Sequence, residues 1–177
     1  MIRVVQPMAC AVGFIPSELV FRCRSMRIGV ISDTHGLLRP EAVGALAGSE
    51  RIIHAGDVGD PAILDRLAEI APVTAVRGNV DHGSWAEKLP QTNVLEVEGV
   101  SIFILHDIEK LDLKPEAAAF AAVIYGHSHV PKQEVRNGVL YFNPGSAGPK
   151  RFKLPASVGV LQFGQGRFGG KITPLMP

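Results

Sequence analysis

Thiols are scarce in this chain. Its only two cysteines, Cys10 and Cys23, fall within the first 25 residues. The rest of the sequence therefore has no disulfide framework and no cysteine nucleophile. Long hydrophobic runs are absent too, and nothing approaches the roughly 20 apolar residues that a membrane-spanning helix needs. Charge of one sign is missing, because 18 Lys plus Arg face 17 Asp plus Glu for a formal net charge of +1. No global field draws such a chain to nucleic acid or to an anionic membrane. Aromatic residues make up only 6%, which argues against a basic groove interleaved with stacking platforms for single strands. There is no internal repeat at a fixed period and no low-complexity segment.

What remains is the composition of a globular protein, 46% hydrophobic and 20% charged over 177 residues. That length suits one domain with a real core and is too short for two ordinary domains with a linker. The first 25 residues are mildly apolar, but Gln6, Pro7, Gly13 and Pro16 interrupt them where a signal peptide is continuous. We therefore expect an N-terminal extension over 1–25, a single domain over 26–177 and a cytoplasmic location. Self-association into a homo-oligomer is compatible with all of this.

From Met26 the run MRIGVIS has the β-branched character of a strand buried on both faces, and it ends at Asp-Thr-His-Gly. Residues 40–48 read as a helix with Pro at its first turn and Gly beyond its end. RIIH is a second strand, a helix follows from Pro61 to about Ile70, and PVTAVR is a third strand running into Gly-Asn-Val-Asp. The alternation of strand, polar turn and helix predicts a parallel sheet covered by helices. The second half reads differently. It predicts a hairpin turning near Glu98-Gly99, a short helix in EAAAF running into a strand, a hairpin around Asn137-Gly138, and a last hairpin with Gly164 to Gly166 in its turn. The expected fold class is α/β, with two packed mixed β-sheets flanked by helices.

Five short polar motifs terminate these strands in succession: Asp33-Thr34-His35, Gly56-Asp57, Gly78-Asn79, His106, and Gly126-His127-Ser128-His129. Each alone is common by chance, but oxygen and imidazole donors at every strand end are not. In an extended chain, residues i and i+2 point the same way and lie roughly 6.6 Å apart. Asp33 with His35, and His127 with His129, can then converge on cations about 3.5–4 Å apart. Asp57 has two oxygens and is the natural bridge, and Asn79 offers a neutral amide oxygen. Histidines suit manganese, iron, zinc or nickel, so mixed ligation argues against a pure calcium or magnesium cage. Glycine directly before Asp57, Asn79 and His127 permits the tight turns and close backbone approach of a crowded site.

These residues resemble the calcineurin-like metallophosphoesterases, whose signature runs D-x-H, GD, GN, a histidine and G-H-x-H. The details ISDTHG, HAGDV, RGNVD, YGHSH and FNPGS look most like the small phosphodiesterases of the YfcE type. The likeness covers about residues 26 to 175 and implies the family's four-layer αββα sandwich. It also implies Asp33, His35 and His129 on a first metal, Asn79, His106 and His127 on a second, and Asp57 between them. Two divalent ions are then expected, manganese in first place, with nickel, iron, zinc or magnesium as alternatives. The implied activity is hydrolysis of a small phosphate ester, most readily a phosphodiester, by a bridging metal-bound hydroxide attacking phosphorus in line.

The chain departs from larger relatives at two places. A histidine that often follows the asparagine, and is thought to assist the leaving group, is replaced by Val80, so His82 becomes the candidate proton donor beside Asp57 and Asn79. The relatives' H-G-H is here His106-Asp107, where Asp107 either orients His106 or caps the loop. His54 reads as a structural residue or as a support behind the ligands, not as a ligand itself. Asn143-Pro144-Gly145-Ser146 reads as a turn walling the pocket, and Arg151 and Lys153 as a solvated basic loop. With no cap domain, the site is expected to be open and fairly shallow. The alternative function is a non-catalytic interaction scaffold on the same fold, as in a retromer subunit that has lost its metal ligands.

Overall fold

A computed structural model describes residues 26–149, 154–164 and 167–176. The extension expected over 1–25 and the basic pair Arg151 and Lys153 lie outside the described residues. So do the central residues of the last hairpin's turn, although its two strands pair as expected.

Ten strands form two five-stranded mixed sheets. In the first sheet, β1 (Met26–Ile31), β2 (Arg51–His54) and β3 (Val73–Ala75) run parallel. On its other side β1 pairs antiparallel with β9 (Ser157–Gly164), which pairs with β10 (Arg167–Pro174). The second sheet has the order β4-β5-β6-β8-β7. Here β5 (Val100–Leu105), β6 (Ala122–Ile124) and β8 (Val139–Asn143) are parallel, with β4 (Thr92–Val97) and β7 (Lys132–Arg136) as antiparallel edges. The parallel strands of both sheets end on the same side of the molecule, which brings the polar motifs together.

Alternation along the strands sorts the side chains. Ile28, Val30, Ile53, Ile102, Ile104, Ile124 and Phe142 meet between the sheets. Ile31 and Ile52 face the other way, onto α1 (Pro40–Leu46) and α2 (Ala62–Ala68), where they join Leu46, Ile63 and Leu67. Both faces of these strands are buried, which is why their sequences read as continuous apolar runs. The outer face of the second sheet is covered differently. Phe103, Leu105, Val123 and Tyr141 lie beneath Ile108, Leu111, Leu113 and Phe120, which belong to a 3-10 turn and a loop.

The helix expected in EAAAF does not form. Residues 115–119 make a single turn closed by Ala118 N–H donating to Lys114 C=O, and Ala119 adopts φ +58°. Helix propensity is overridden because β6 begins at Ala122 and leaves no room for a second turn. The two hairpin turns are as expected, with φ positive at both Glu98-Gly99 and Asn137-Gly138, the type I′ pattern.

Phe142 ties the sheets together. It is fully buried, and a Cβ on Gly159 or Gly170 would lie 2.3 or 2.6 Å from its ring, so these two glycines make room for it. Phe142→Ala is expected to cost about 3–5 kcal/mol, read as a lower urea midpoint at unchanged slope. A midpoint within error of wild type would show that the ring is not the wedge between the sheets.

Candidate metal centre

The first ligand loop leaves β1 at Ile31. Ser32 and Asp33 are fully buried, and Asp33 N–H donates to the carbonyl of Gly56 at 3.0 Å, fastening this loop to the one after β2. The Asp57 loop is held in turn by His35 N–H donating to Asp57 C=O at 3.0 Å. From the second sheet, Gly126 N–H donates to His106 C=O at 2.9 Å, and His127 N–H to Asp33 Oδ2 at 3.2 Å. These bonds close a ring of loops from both sheets, with the Asp33 carboxylate as the link between them.

The seven side chains singled out by the motifs converge inside this ring. Asp33 Oδ1 lies 3.3 Å from His129 Nε2 and 3.9 Å from His35 Nε2, and the two imidazole nitrogens are 3.2 Å apart. Asp57 Oδ2 lies 3.8 Å from His35 Nε2 and 3.3 Å from His106 Nε2. Asn79 Oδ1 is 3.1 Å from His106 Nε2 and 3.0 Å from His127 Nδ1. Asp57 therefore stands between two half-sites. One is Asp33, His35 and His129; the other is Asn79, His106 and His127. Its Oδ1 is fixed by the Val80 N–H at 3.0 Å, which leaves Oδ2 turned toward both halves.

The donor chemistry fits divalent cations. His106 Nδ1 faces the Ala55 carbonyl at 2.7 Å and so carries the proton there. That directs the Nε2 lone pair at two acceptor oxygens, from Asp57 and Asn79, and three acceptors repel unless a cation or a proton lies among them. Asp33 Oδ1 is buried and accepts no hydrogen bond. Burial pushes the Asp33 carboxyl up to about 6, against the help of Ser32 and His106. Burial also acts to raise Asp57, but hydrogen bonds from His106 and Val80 outweigh it and hold Asp57 at about 2. His106 moves up despite its burial, because Asp57 and the Ala55 carbonyl favour its charged form. In each half-site a metal ion would relieve the repulsion among these acceptors.

The convergence does not follow the extended spacing expected from the sequence. Asp33, His35, Asp57, His127 and His129 all have left-handed backbones, with φ between +46° and +68°. Such conformations cost of order 1–3 kcal/mol each in non-glycine residues and persist only where the surroundings impose them. They turn His127 toward Asn79 while His129 joins Asp33 and His35, so one short motif serves both halves. Gly56 takes φ +90°, whereas the glycines before Asn79 and His127 act through space. A Cβ on Gly78 would lie 2.1 Å from Asp57 Oδ1, and one on Gly126 would lie 2.0 Å from Ser32 Oγ.

The structure also assigns parts that the sequence left open. Asp107 caps its loop by accepting the Glu109 N–H at 3.0 Å, and the Ala55 carbonyl, not Asp107, orients His106. Asn143 is more than part of a turn. Its amide donates to Gly126 C=O at 2.8 Å while its oxygen accepts from Gly145 N–H at 2.8 Å, which fixes the loop carrying His127 and His129. Asp81 was missed by the motif reading. It is buried, and its oxygens accept the N–H groups of Gly59 and Gly78, each at 2.8 Å, locking the turn that presents Asn79. Its only sequence signal is a carboxylate two residues beyond Asn79. His82 is exposed and lines a cavity of about 630 Å³ that borders Asn79 and His106.

His54 is structural, as expected. It is fully buried with Nε2 3.0 Å from the Thr34 hydroxyl, which donates to Val58 C=O at 2.9 Å. Burial pulls the imidazole down to about 4.

Comparison with known proteins bears on this geometry. A sequence profile described as "Calcineurin-like phosphoesterase superfamily domain" matches residues 26–166. A probable metallophosphoesterase of Methanocaldococcus jannaschii is 38% identical over 143 residues, covering 73% of this chain and 72% of its own. The phosphodiesterase YfcE of Escherichia coli strain K12 is 31% identical over 163 residues, covering 77% and 87%. Vacuolar protein sorting 29 of Cryptosporidium parvum shares the fold at a TM-score of 0.68 and 18% identity, over 84% of this chain and 97% of that one.

Two outcomes follow. Gly78→Ala, whose added methyl meets Asp57 backbone, is expected to weaken manganese binding at least about tenfold by calorimetry, because it displaces both Asp57 and Asn79. Gly44→Ala, in an open position on α1, leaves binding unchanged, and equal affinities in the two variants would refute the crowding argument. For His54 the folded pKa is depressed, so its stability contribution is present above about 6.5 and is lost as pH falls toward 4. Relative to His54→Asn, wild type should lose about 3 kcal/mol over that range; parallel stability curves would contradict it.

Proposed function

The chain belongs to the calcineurin-like phosphoesterase superfamily, and on that premise we propose that it is a metal-dependent phosphodiesterase working through a dinuclear centre. The observation that carries the reading is Asp57 Oδ2, placed 3.8 Å from His35 Nε2 and 3.3 Å from His106 Nε2 while its other oxygen is tied to the backbone. Asp33, His35 and His129 would hold one divalent ion, Asn79, His106 and His127 the other, and Asp57 both. Manganese suits this mixture of imidazole, carboxylate and amide oxygen best, with nickel, iron, zinc or magnesium as substitutes. When bound, such ions would supply Lewis acidity to the phosphate oxygens and an activated water as nucleophile.

The chain's own residues do the positioning. The Val80 N–H, the Ala55 carbonyl and Asp81 fix Asp57, His106 and the Asn79 turn before substrate arrives, so little reorganisation accompanies binding. Asn79 contributes a neutral oxygen beside Asp57, which limits negative charge where an anionic phosphate must approach. His82, exposed on the neighbouring cavity, would give a proton to a departing alcohol. The residues that would do chemistry are therefore Asp57, Asn79 and His82, and the substrate is a small phosphate ester. The likeness to vacuolar protein sorting 29 favours a second reading, a non-catalytic scaffold. The completeness of the ligand set weighs against it.

The test is hydrolysis of bis(p-nitrophenyl) phosphate by purified protein with manganese, alongside a count of bound metal. Turnover should require the metal and fall at least about 100-fold in Asp57→Ala. Wild-type rates in that variant would remove the bridging role, and metal binding without turnover would favour the scaffold. His82→Ala should slow diesters with poor leaving groups more than those with good ones, and equal slowing would reject it as proton donor.

A further inference from the structure

The cavity beside Asn79 and His106 is far larger than a phosphate group requires, and about 630 Å³ suits a ligand of drug-like size. It borders only the half of the centre that contains Asn79 and His106. Phe103 and Leu105 give it an apolar wall, and Arg77 and Lys110 are its basic residues. Arg77 immediately precedes Gly78-Asn79, and its N–H is fixed to the Pro90 carbonyl at 2.8 Å. The residue is half-buried, yet its guanidinium has no ion pair or hydrogen bond among the described residues. Its nitrogens are not among the buried unpartnered atoms, so they reach solvent, where the guanidinium is open to an anion that it can grip with two parallel bonds.

The acidic residues on the same walls are otherwise engaged. Asp81 spends its oxygens on the N–H groups of Gly59 and Gly78. Asp107 accepts from Glu109 N–H and lies 3.9 Å from Lys110 Nζ. Asp112 is exposed, where water screens it. Among these charged lining residues, Arg77 is the half-buried one whose side chain has no ion pair or hydrogen bond among the described residues.

We propose that this cavity receives one ester group of the substrate, and that Arg77, with Lys110 nearer the solvent, binds a second anion carried on that group. The inference rests on the phosphodiesterase reading and narrows it: the substrate class is a phosphodiester with an additional carboxylate or phosphate. Arg77 is then a specificity residue, and the apolar wall packs the body of the same ester group.

The test begins with binding. Manganese-loaded protein is titrated calorimetrically with 4-carboxyphenyl phosphonate and with phenyl phosphonate. Wild type should bind the carboxylate ligand at least about tenfold more tightly, the ratio should fall to about twofold or less in Arg77→Gln, and Arg77→Lys should recover part of it. Lys110→Gln, at an exposed position, should give a smaller loss and serves as an independent variant should Arg77→Gln melt early. Equal affinities in wild type, or a preference that survives Arg77→Gln, would overturn the assignment. Kinetics separate the two readings. The ratio of kcat/KM for bis(4-carboxyphenyl) over bis(4-carbamoylphenyl) phosphate should fall in Arg77→Gln in step with binding. A binding preference with no turnover of either diester upholds the anion pocket and defeats the hydrolase; turnover of both with a ratio indifferent to Arg77 does the reverse.

Discussion

The carboxylate of Asp33 is completely buried, and one of its oxygens accepts no hydrogen bond. A group in that position is unfavourable in its ionised form, and burial lifts its pKa to about 6. Around it, Asp57, Asn79 and four imidazoles crowd together with more acceptors than donors. The fold holds this arrangement in place by backbone hydrogen bonds between loops of both sheets, and two cations would discharge it. Most other features of the site can be traced to this crowding of acceptor atoms.

Holding it has conformational consequences. Five of the converging residues, Asp33, His35, Asp57, His127 and His129, take left-handed backbone conformations. Side chains of this size adopt them only where neighbouring contacts impose them. The contacts are identifiable: the clasps from Gly56, Val58 and His106 carbonyls, the Asn143 bridge to Gly126 and the Asp81 bridge between Gly59 and Gly78. Space is as limiting as conformation, since Gly78 and Gly126 approach ligand atoms where no Cβ fits. The core between the sheets, wedged by Phe142, supplies the rigidity against which this strain is held.

The centre is asymmetric. The half formed by Asp33, His35 and His129 lies away from the cavity, whereas the half containing Asn79 and His106 borders it beside Arg77. On the proposed reading, that difference would give the two sides of a bound phosphate separate tasks, one holding it and the other reading what is attached to it.

The strand ends, the order of the ligands and both type I′ hairpins could be read in the sequence. Each depends on short-range chemistry: β-branched runs, polar residues at their ends, and Glu98-Gly99 and Asn137-Gly138 as turn formers. The family resemblance was legible for the same reason, because its motifs are contiguous. Tertiary structure alone decided the rest. It denied a helix to EAAAF by starting β6 at Ala122, chose the Ala55 carbonyl over Asp107 as the partner of His106, and recruited Asp81 and Asn143 as supports. It also replaced the extended i, i+2 geometry with left-handed turns and opened the cavity beside Arg77. These outcomes depend on which distant backbone atoms arrive within hydrogen-bonding distance, and local sequence carries no record of that.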